Sequence, residues 1–274
     1  EIAEHGRWRR DRKRETLGIK QMGKNIDEFR QRLRSGEPQI GTFVKTPSSI
    51  IADVLGYSDL DVFCIDTEHA PFGRLELDVC IGAFRAADKP SLVRIADDSS
   101  REIRNALDSG ATGIVVPHVT TAEQAAAIVK AAHFGDGGRG YAGSTRAAEF
   151  TNKSMTDHIA DSREQTTVIV QIEDIAALTN VAEIAAVDGV DCLFIGRADL
   201  AVAMQKGVSD VAVMDAVRKI CGDAREAPPA VGMFTPNIDE LPDWLEAGAS
   251  LFLLSSDQSM MLAAANQLAK SIRG

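Results

Sequence analysis

Asp61-Val62-Phe63-Cys64-Ile65-Asp66-Thr67-Glu68-His69-Ala70-Pro71 opens with an apolar run and ends with three ionisable residues in four positions, Asp66, Glu68 and His69. Residues 61–66 have the length and β-branched, aromatic character of a strand buried on both faces. Arg74 to Ala87 follows with apolar residues at helical spacing. A strand that passes directly into a helix is half of a βαβ unit, whose next strand runs parallel to the first. Further apolar runs of strand length recur at 39–44, 90–95, 112–117, 167–172, 190–195, 229–234 and 250–254. Ser100 to Ser109, Thr121 to His133, Ile175 to Ala186 and Asp239 to Ala247 are amphipathic segments between them. Strict alternation over eight strands predicts an α/β fold, a closed (β/α)8 TIM barrel of roughly 250 residues. An open doubly wound sheet has fewer strands and a glycine-rich nucleotide turn after the first. The first strand here runs instead into Lys45-Thr46-Pro47-Ser48.

A chain of 274 residues accommodates one such barrel, over 25–274, preceded by a basic segment at 1–24. That segment carries eight Lys and Arg against four acids, which leaves 22 basic against 36 acidic residues for the remainder. Arg7-Trp8-Arg9-Arg10 reads as a leader or a helix lying on the barrel, and no chemistry is assigned to it. A net charge of −10 repels phosphate backbones and anionic membranes, so nucleic-acid and membrane partners are not expected and a small polar molecule is. Cys64, Cys80, Cys192 and Cys221 have no zinc or CxxC spacing, and the first and third lie in apolar runs. Reduced, buried thiols and a cytoplasmic location are the expectation, since no run reaches the roughly 18 apolar residues of a membrane span. Phe134 to Gln165 is too long for a plain connection, and its start, Gly135-Asp136-Gly137-Gly138-Arg139-Gly140, reads as a flexible loop able to pack on another subunit.

Active sites of such barrels lie at the C-terminal ends of the strands. At the end of the second, His69 with Asp66 forms a candidate acid/base unit, against the plainer reading of an Asx-type turn with a surface histidine. The third ends on Arg94, whose fixed fork of donors suits a carboxylate or a developing enolate oxygen, and equally a structural ion pair. The fifth ends Gln171-Ile172-Glu173-Asp174 and the sixth ends Gly196-Arg197-Ala198-Asp199-Leu200. Carboxylates from two adjacent strands leave coordination positions open, as a catalytic Mg2+ or Mn2+ site requires. Taken singly, Glu173 and Asp174 would also suit the start of a helix, and Asp199 an N-cap.

Together, Ile65-Asp66-Thr67-Glu68-His69-Ala70-Pro71, Val93-Arg94, Gln171-Ile172-Glu173 and Phe194-Ile195-Gly196-Arg197-Ala198-Asp199-Leu200 resemble the HpcH/HpaI aldolase/citrate lyase family of metal-dependent, class II pyruvate aldolases. The match runs in order from about Gly41 to Leu254. The resemblance implies that Glu173 and Asp199 bind a divalent metal (Mg2+, Mn2+ or Co2+), that His69 with Asp66 is the base system, and that Arg94 steadies the enolate oxygen. Gln171 would line the site, with the backbone at Ala198 and Asp199 near the pyruvate carboxylate. It further implies cleavage of a 4-hydroxy-2-oxo acid to pyruvate and an aldehyde, and a homo-oligomer, commonly a hexamer built as a trimer of dimers.

Three positions depart from the family pattern, Thr67 in place of glycine, Arg197 in place of proline and Ala201 in place of serine. Arg197 either selects an acidic or phosphorylated substrate or turns outward into a salt bridge. The Arg139 to Arg146 stretch also departs from the plainer arginine-glycine loop of familiar members, and it begins at the barrel face away from the strand C-termini. Other readings stay open: a class I aldolase with Lys45 as the Schiff-base lysine, an acyl-CoA lyase or phosphonate enzyme of the same superfamily, or a non-catalytic metabolite-binding barrel.

Overall fold

The computed structural model describes residues 26–225 and 227–273, so the basic segment 1–24 lies outside the described residues. Its eight strands are β1 (Gln39–Val44), β2 (Val62–Asp66), β3 (Ser91–Arg94), β4 (Gly113–Val116), β5 (Thr167–Ile172), β6 (Cys192–Ile195), β7 (Ala230–Phe234) and β8 (Ala249–Ser256). They close in sequence order into a barrel, every neighbouring pair parallel, β8 returning to β1. The helices are α1 (Phe29–Arg34), α2 (Ser49–Gly56), α3 (Arg74–Ala86), α4 (Ser100–Asp108), α5 (Ala122–Ala132), α6 (Met155–Gln165), α7 (Val181–Ala185), α8 (Arg197–Ala203), α9 (Val211–Ala224), α10 (Leu241–Glu246) and α11 (Asp257–Arg273).

All eight strands fall within two residues of the predicted bounds. Two predicted helices are shorter than expected. Ile175 to Ala186 divides into a 3-10 turn, Ile175–Thr179, and α7, separated at Asn180, a residue whose side chain competes with helical hydrogen bonds. Asp239 to Ala247 divides at the start of α10, where Pro242 is confined to the first turn by its missing N–H. Helix α6 was not expected, because it lacks an apolar stripe and its buried residues are His158 and Ser162.

The alternation along the strands sorts their side chains into two cores. Phe63, Ile65, Val93, Ile114, Val168, Val170 and Leu193 pack outward with the apolar faces of the helices. Val62, Cys64, Leu92, Val115, Ile169, Cys192, Phe194, Leu251 and Leu253 fill the barrel interior. Phe29 and Leu33 of α1 join that inner cluster, so α1 stops the N-terminal end of the barrel. It is held there by Asp191, a fully buried carboxylate that accepts from Arg30 (2.9 Å), Arg34 (3.2 Å) and the Val168 amide (2.9 Å). Arg30 also donates to the carbonyls of Arg163 (2.7 Å) and Glu164 (3.2 Å), which ties in the end of α6.

The segment from Phe134 is tied down rather than loose. Arg139 bonds Asp108 through Nε at 3.1 Å and lies over the Phe134 ring at 4.7 Å, and Arg146 bonds Asp78 at 3.2 and 2.6 Å. A cavity of about 480 Å3 opens beside it, lined by Arg85, Arg139, Lys153 and His158 and remote from the strand C-termini. The four cysteines are free and buried, and burial pushes the Cys64 thiol up to about 12. Among the described residues, no helix is long and apolar enough to cross a membrane.

Asp191→Ala removes the acceptor shared by Arg30 and Arg34 and is expected to lower the unfolding free energy by about 3 kcal/mol, measured by urea denaturation. A loss below about 1 kcal/mol would mean that Phe29 and Leu33 alone hold α1.

Candidate active site

The row of side chains that fills the barrel interior changes character at the C-terminal rim. Cys64 is followed two residues later by Asp66, Leu92 by Arg94, Ile169 by Gln171 and then Glu173, and Phe194 by Gly196. Asp66, Arg94, Gln171 and Glu173 are all buried although polar or charged. A cavity of about 390 Å3 opens at this rim, lined by Phe43, Lys45, Arg94, Gln171, Phe194 and Asp199 among others.

Asp66 and Arg94 are direct register partners on β2 and β3, so their side chains leave adjacent strands at the same height. Arg94 donates from Nε to one Asp66 oxygen at 3.0 Å and from Nη2 to the other at 2.7 Å. Its guanidinium also lies over the Phe43 ring, 4.7 Å from the centroid. The Lys45 ammonium is 3.3 Å from the same carboxylate, and the His69 backbone amide donates to it at 3.1 Å. Burial alone would raise the Asp66 carboxyl, but Arg94, the His69 amide and Lys45 outweigh it and hold the group below its ordinary value.

This arrangement corrects the expectation of a His69–Asp66 side-chain pair. Asp66 bonds the His69 backbone and not its ring, in an Asx-type turn. The imidazole is half-exposed, and its Nε2 faces Glu68 at 3.7 Å.

Glu173 follows β5 and Asp199 lies on α8 directly after β6, the neighbouring strand. Glu173 is 2% exposed. Burial raises its carboxyl above the ordinary range and the Asp199 charge adds to the rise, against the His118 amide, the His118 ring and Gln171. Two close carboxylates, one of them buried, are short of positive charge, and an oxygen-loving divalent cation meets that need. The donor chemistry therefore fits a metal. Among the described residues no group of three His, Cys, Asp and Glu side chains is arranged around a common point, so the protein would supply two ligands and leave the rest to water and substrate.

Gly196 makes this approach possible. A Cβ there would lie 2.5 Å from the Glu173 Cβ and 2.6 Å from its Oε2. Gln171 donates to Glu173 through Nε2, while its Oε1 is buried without a partner. Asp199 is the third residue of α8, with Gly196 at the cap position, so the N-cap reading of Asp199 is set aside. Asp174 does stand at the start of a 3-10 turn, yet it makes no side-chain cap bond. Arg197 is occupied by Glu240 at 2.6 Å, which also accepts from Trp244 at 3.2 Å. The predicted salt bridge is found, yet Arg197 does not turn outward: it is 10% exposed and lines the rim cavity.

His118 completes the site and was missed in the sequence. It follows Val116-Pro117 at the end of β4 with a φ of +56°. This left-handed conformation is uncommon for residues other than glycine, and here it aims the amide at Glu173 Oε1, 2.9 Å away. The ring Nδ1 lies 3.0 Å from Asp174, and that contact, together with the charges of Glu173, Asp174 and Glu68, raises the imidazole above its ordinary value despite partial burial. The signal was available, since the rule of examining the residues after each apolar run applies to Pro117-His118 as well.

A profile of the HpcH/HpaI aldolase/citrate lyase family matches residues 39–264. A hydroxypyruvate/pyruvate aldolase from Paraburkholderia phytofirmans is 32% identical over 89% of this chain and 97% of its own length. A 4-hydroxy-2-oxovalerate aldolase from Rhodococcus jostii is 34% identical over 89% of this chain and 95% of its own. Among solved structures, an HpcH/HpaI aldolase/citrate lyase family protein from Burkholderia cenocepacia superposes with a TM-score of 0.85 at 33% identity, covering 90% of this chain and all of that one.

Gly196→Ala places a methyl group against Glu173 Cβ and is expected to weaken Mn2+ binding about tenfold, read by calorimetric titration, and to lower thermal stability as well, because Glu173 must shift to admit it. Unchanged affinity would show that Glu173 does not need this approach.

Proposed function

The chain belongs to the HpcH/HpaI aldolase/citrate lyase family, and from that premise we propose that it cleaves a 4-hydroxy-2-oxo acid to pyruvate and an aldehyde with the help of a divalent metal. It is a carbon–carbon lyase of the aldolase kind, as its relatives are named. The observation that carries the finer reading is the buried carboxylate Glu173, close enough to Gly196 that a Cβ there would meet it, with Asp199 three residues on and lining the same rim cavity as the buried cation Arg94.

Glu173 and Asp199 would hold Mg2+, Mn2+ or Co2+, which when bound supplies a Lewis acid for the 2-oxo group. Gln171, with its free carbonyl oxygen, lines the floor of the site, and the amides at Ala198 and Asp199 in the first turn of α8 face the substrate carboxylate. Arg94, clamped by Asp66 and Phe43, presents a fixed positive charge where the enolate oxygen develops. Asp66 acts on the reaction through Arg94 and through the turn that carries His69. His69 takes the proton of the C4 hydroxyl as the C3–C4 bond breaks, the hydroxyl-bearing fragment leaves as the aldehyde, and the electron pair passes to the 2-oxo group. Protonation at C3 then gives pyruvate. A homo-oligomer belongs to the same reading, supported by the exposed apolar side chains Met261, Leu262, Leu268 and Ile272 on α11.

Pyruvate release from a panel of 4-hydroxy-2-oxo acids, with metal-stripped protein and added Mg2+, Mn2+ or Co2+, tests this directly. Turnover is expected only with metal, is expected to vanish in Glu173→Gln, and is expected to fall at least about 100-fold in His69→Ala. Metal-independent turnover would overturn the class II mechanism. Lys45 lines the same cavity, so borohydride trapping with pyruvate is the matching control, and no adduct on Lys45 is expected.

A further inference from the structure

Helix α8 carries Asp199 in its first turn, and little in its own sequence holds that turn in place. It has seven residues, its cap residue is Gly196, and no side-chain cap bond is made. Helices this short are marginal by themselves. Leu200 and Ala201 are buried and fix the inner side, but Ala198 and Asp199 are exposed. Asp199 therefore has little packing of its own, and its carboxylate stands wherever the backbone between Gly196 and Leu200 puts it.

Arg197, the first residue of the helix, ties that backbone to the connection after the neighbouring strand. Its Nη1 donates to Glu240 Oε2 at 2.6 Å, 43 residues on in the chain, and lies 3.8 Å from Met214 Sδ of α9. Glu240 ends the 3-10 turn Ile238–Glu240 that follows β7, and it is held by three further donors. Oε2 accepts from Trp244 Nε1 at 3.2 Å and from Thr235 Oγ1 at 3.5 Å, and Oε1 accepts from Asn237 Nδ2 at 3.3 Å. Thr235 and Trp244 are buried, so the anchor belongs to the core. Burial works against the Glu240 charge, but Arg197, Trp244 and Asn237 outweigh it and keep the carboxyl below its ordinary value. A charge-assisted hydrogen bond is roughly twice as strong as a neutral one. Proline would stiffen the same position by another route, because at the first helical residue its missing N–H is not needed and its ring presets φ.

We propose that Arg197 is a positioning residue for Asp199: through Glu240 it clamps the first turn of α8 to the β7 connection, and so fixes where Asp199 and Gly196 stand relative to Glu173. The proposal rests on the metal reading for what Asp199 does, but not for the clamp itself. An ion pair does in this chain what a proline ring would do, and the cation at the wall of the rim cavity is engaged by the protein's own loop.

The test is amide hydrogen exchange in the full chain without metal, read at Leu200, whose amide closes the first turn of α8 on the Gly196 carbonyl. Arg197→Met keeps the stem and removes the charge, so protection of Leu200 is expected to fall about fivefold or more, while Ala52 on α2 keeps its protection. Mn2+ affinity of the same variant, read by calorimetric titration, is expected to weaken about tenfold. Arg197→Pro restores stiffness without the ion pair, and it is expected to return both readings to within about threefold of the wild type. A residue that merely stabilised the fold would lower protection at Leu200 and Ala52 alike. Glu240→Gln is expected to act in the same direction as Arg197→Met, and it decides the matter if that variant does not fold. Unchanged Leu200 protection or unchanged Mn2+ affinity in Arg197→Met, or an Arg197→Pro protein no better than Arg197→Met, would overturn the clamp. If the wild type binds no Mn2+, the metal reading fails while exchange at Leu200 still decides the clamp.

Discussion

Alternation along eight parallel strands is the constraint on which this molecule depends. In a closed sheet, side chains of one parity face the axis and those of the other face the helices. The axial row has to fill a narrow space, so it is built from Val62, Cys64, Leu92, Val115, Ile169 and Phe194. The same row, continued two residues further, emerges at the rim as Asp66, Arg94 and Gln171, and after two more as Glu173. Packing below and polar chemistry above are thus consecutive positions of one pattern. The polar groups are held as firmly as the core because they leave from the same strands.

Much of this pattern could be read along the chain. The eight apolar runs are short, bounded and separated by helical segments, so neither their number nor their order was ambiguous, and residues 39–44 and 167–172 coincide with β1 and β5 to the residue. The carboxylates at the ends of the fifth and sixth runs stood out because a buried-strand composition ends abruptly in Glu173 and in the turn that leads to Asp199. Their placement at one rim follows from β5 and β6 being neighbours, which the order of the chain implies, and from the room that Gly196 leaves for Glu173.

What could not be read depends on side-chain direction within a turn. Asp66 and His69 are three residues apart, and that spacing is compatible with a ring contact or with a backbone contact. The choice was made by Arg94, which faces Asp66 in register from β3 and takes both carboxylate oxygens. His118 could be found by its place after the fourth apolar run, but the left-handed backbone that aims its amide at Glu173 is announced by no spacing. Helix α6 was hidden for the opposite reason: it lies over polar groups, with His158 and Ser162 its buried residues, so it has no apolar stripe to betray it.

The barrel also has a seam, where the last strand, β8, closes on the first, β1. At the rim of that seam, Asp257 of α11 accepts the amides of Lys45 and Thr46 at 2.8 and 3.0 Å, across separations of 212 and 211 residues. Loop closure over such a span costs entropy that is not recovered until the contacts form. Synthesis of the chain therefore delivers β1 long before its last neighbour exists. A barrel with seven strands in place would still lack the carboxylate that fixes the loop carrying Lys45, so the site acquires its final wall with the final strand. Timing of assembly and completeness of the rim cavity are one event at this seam.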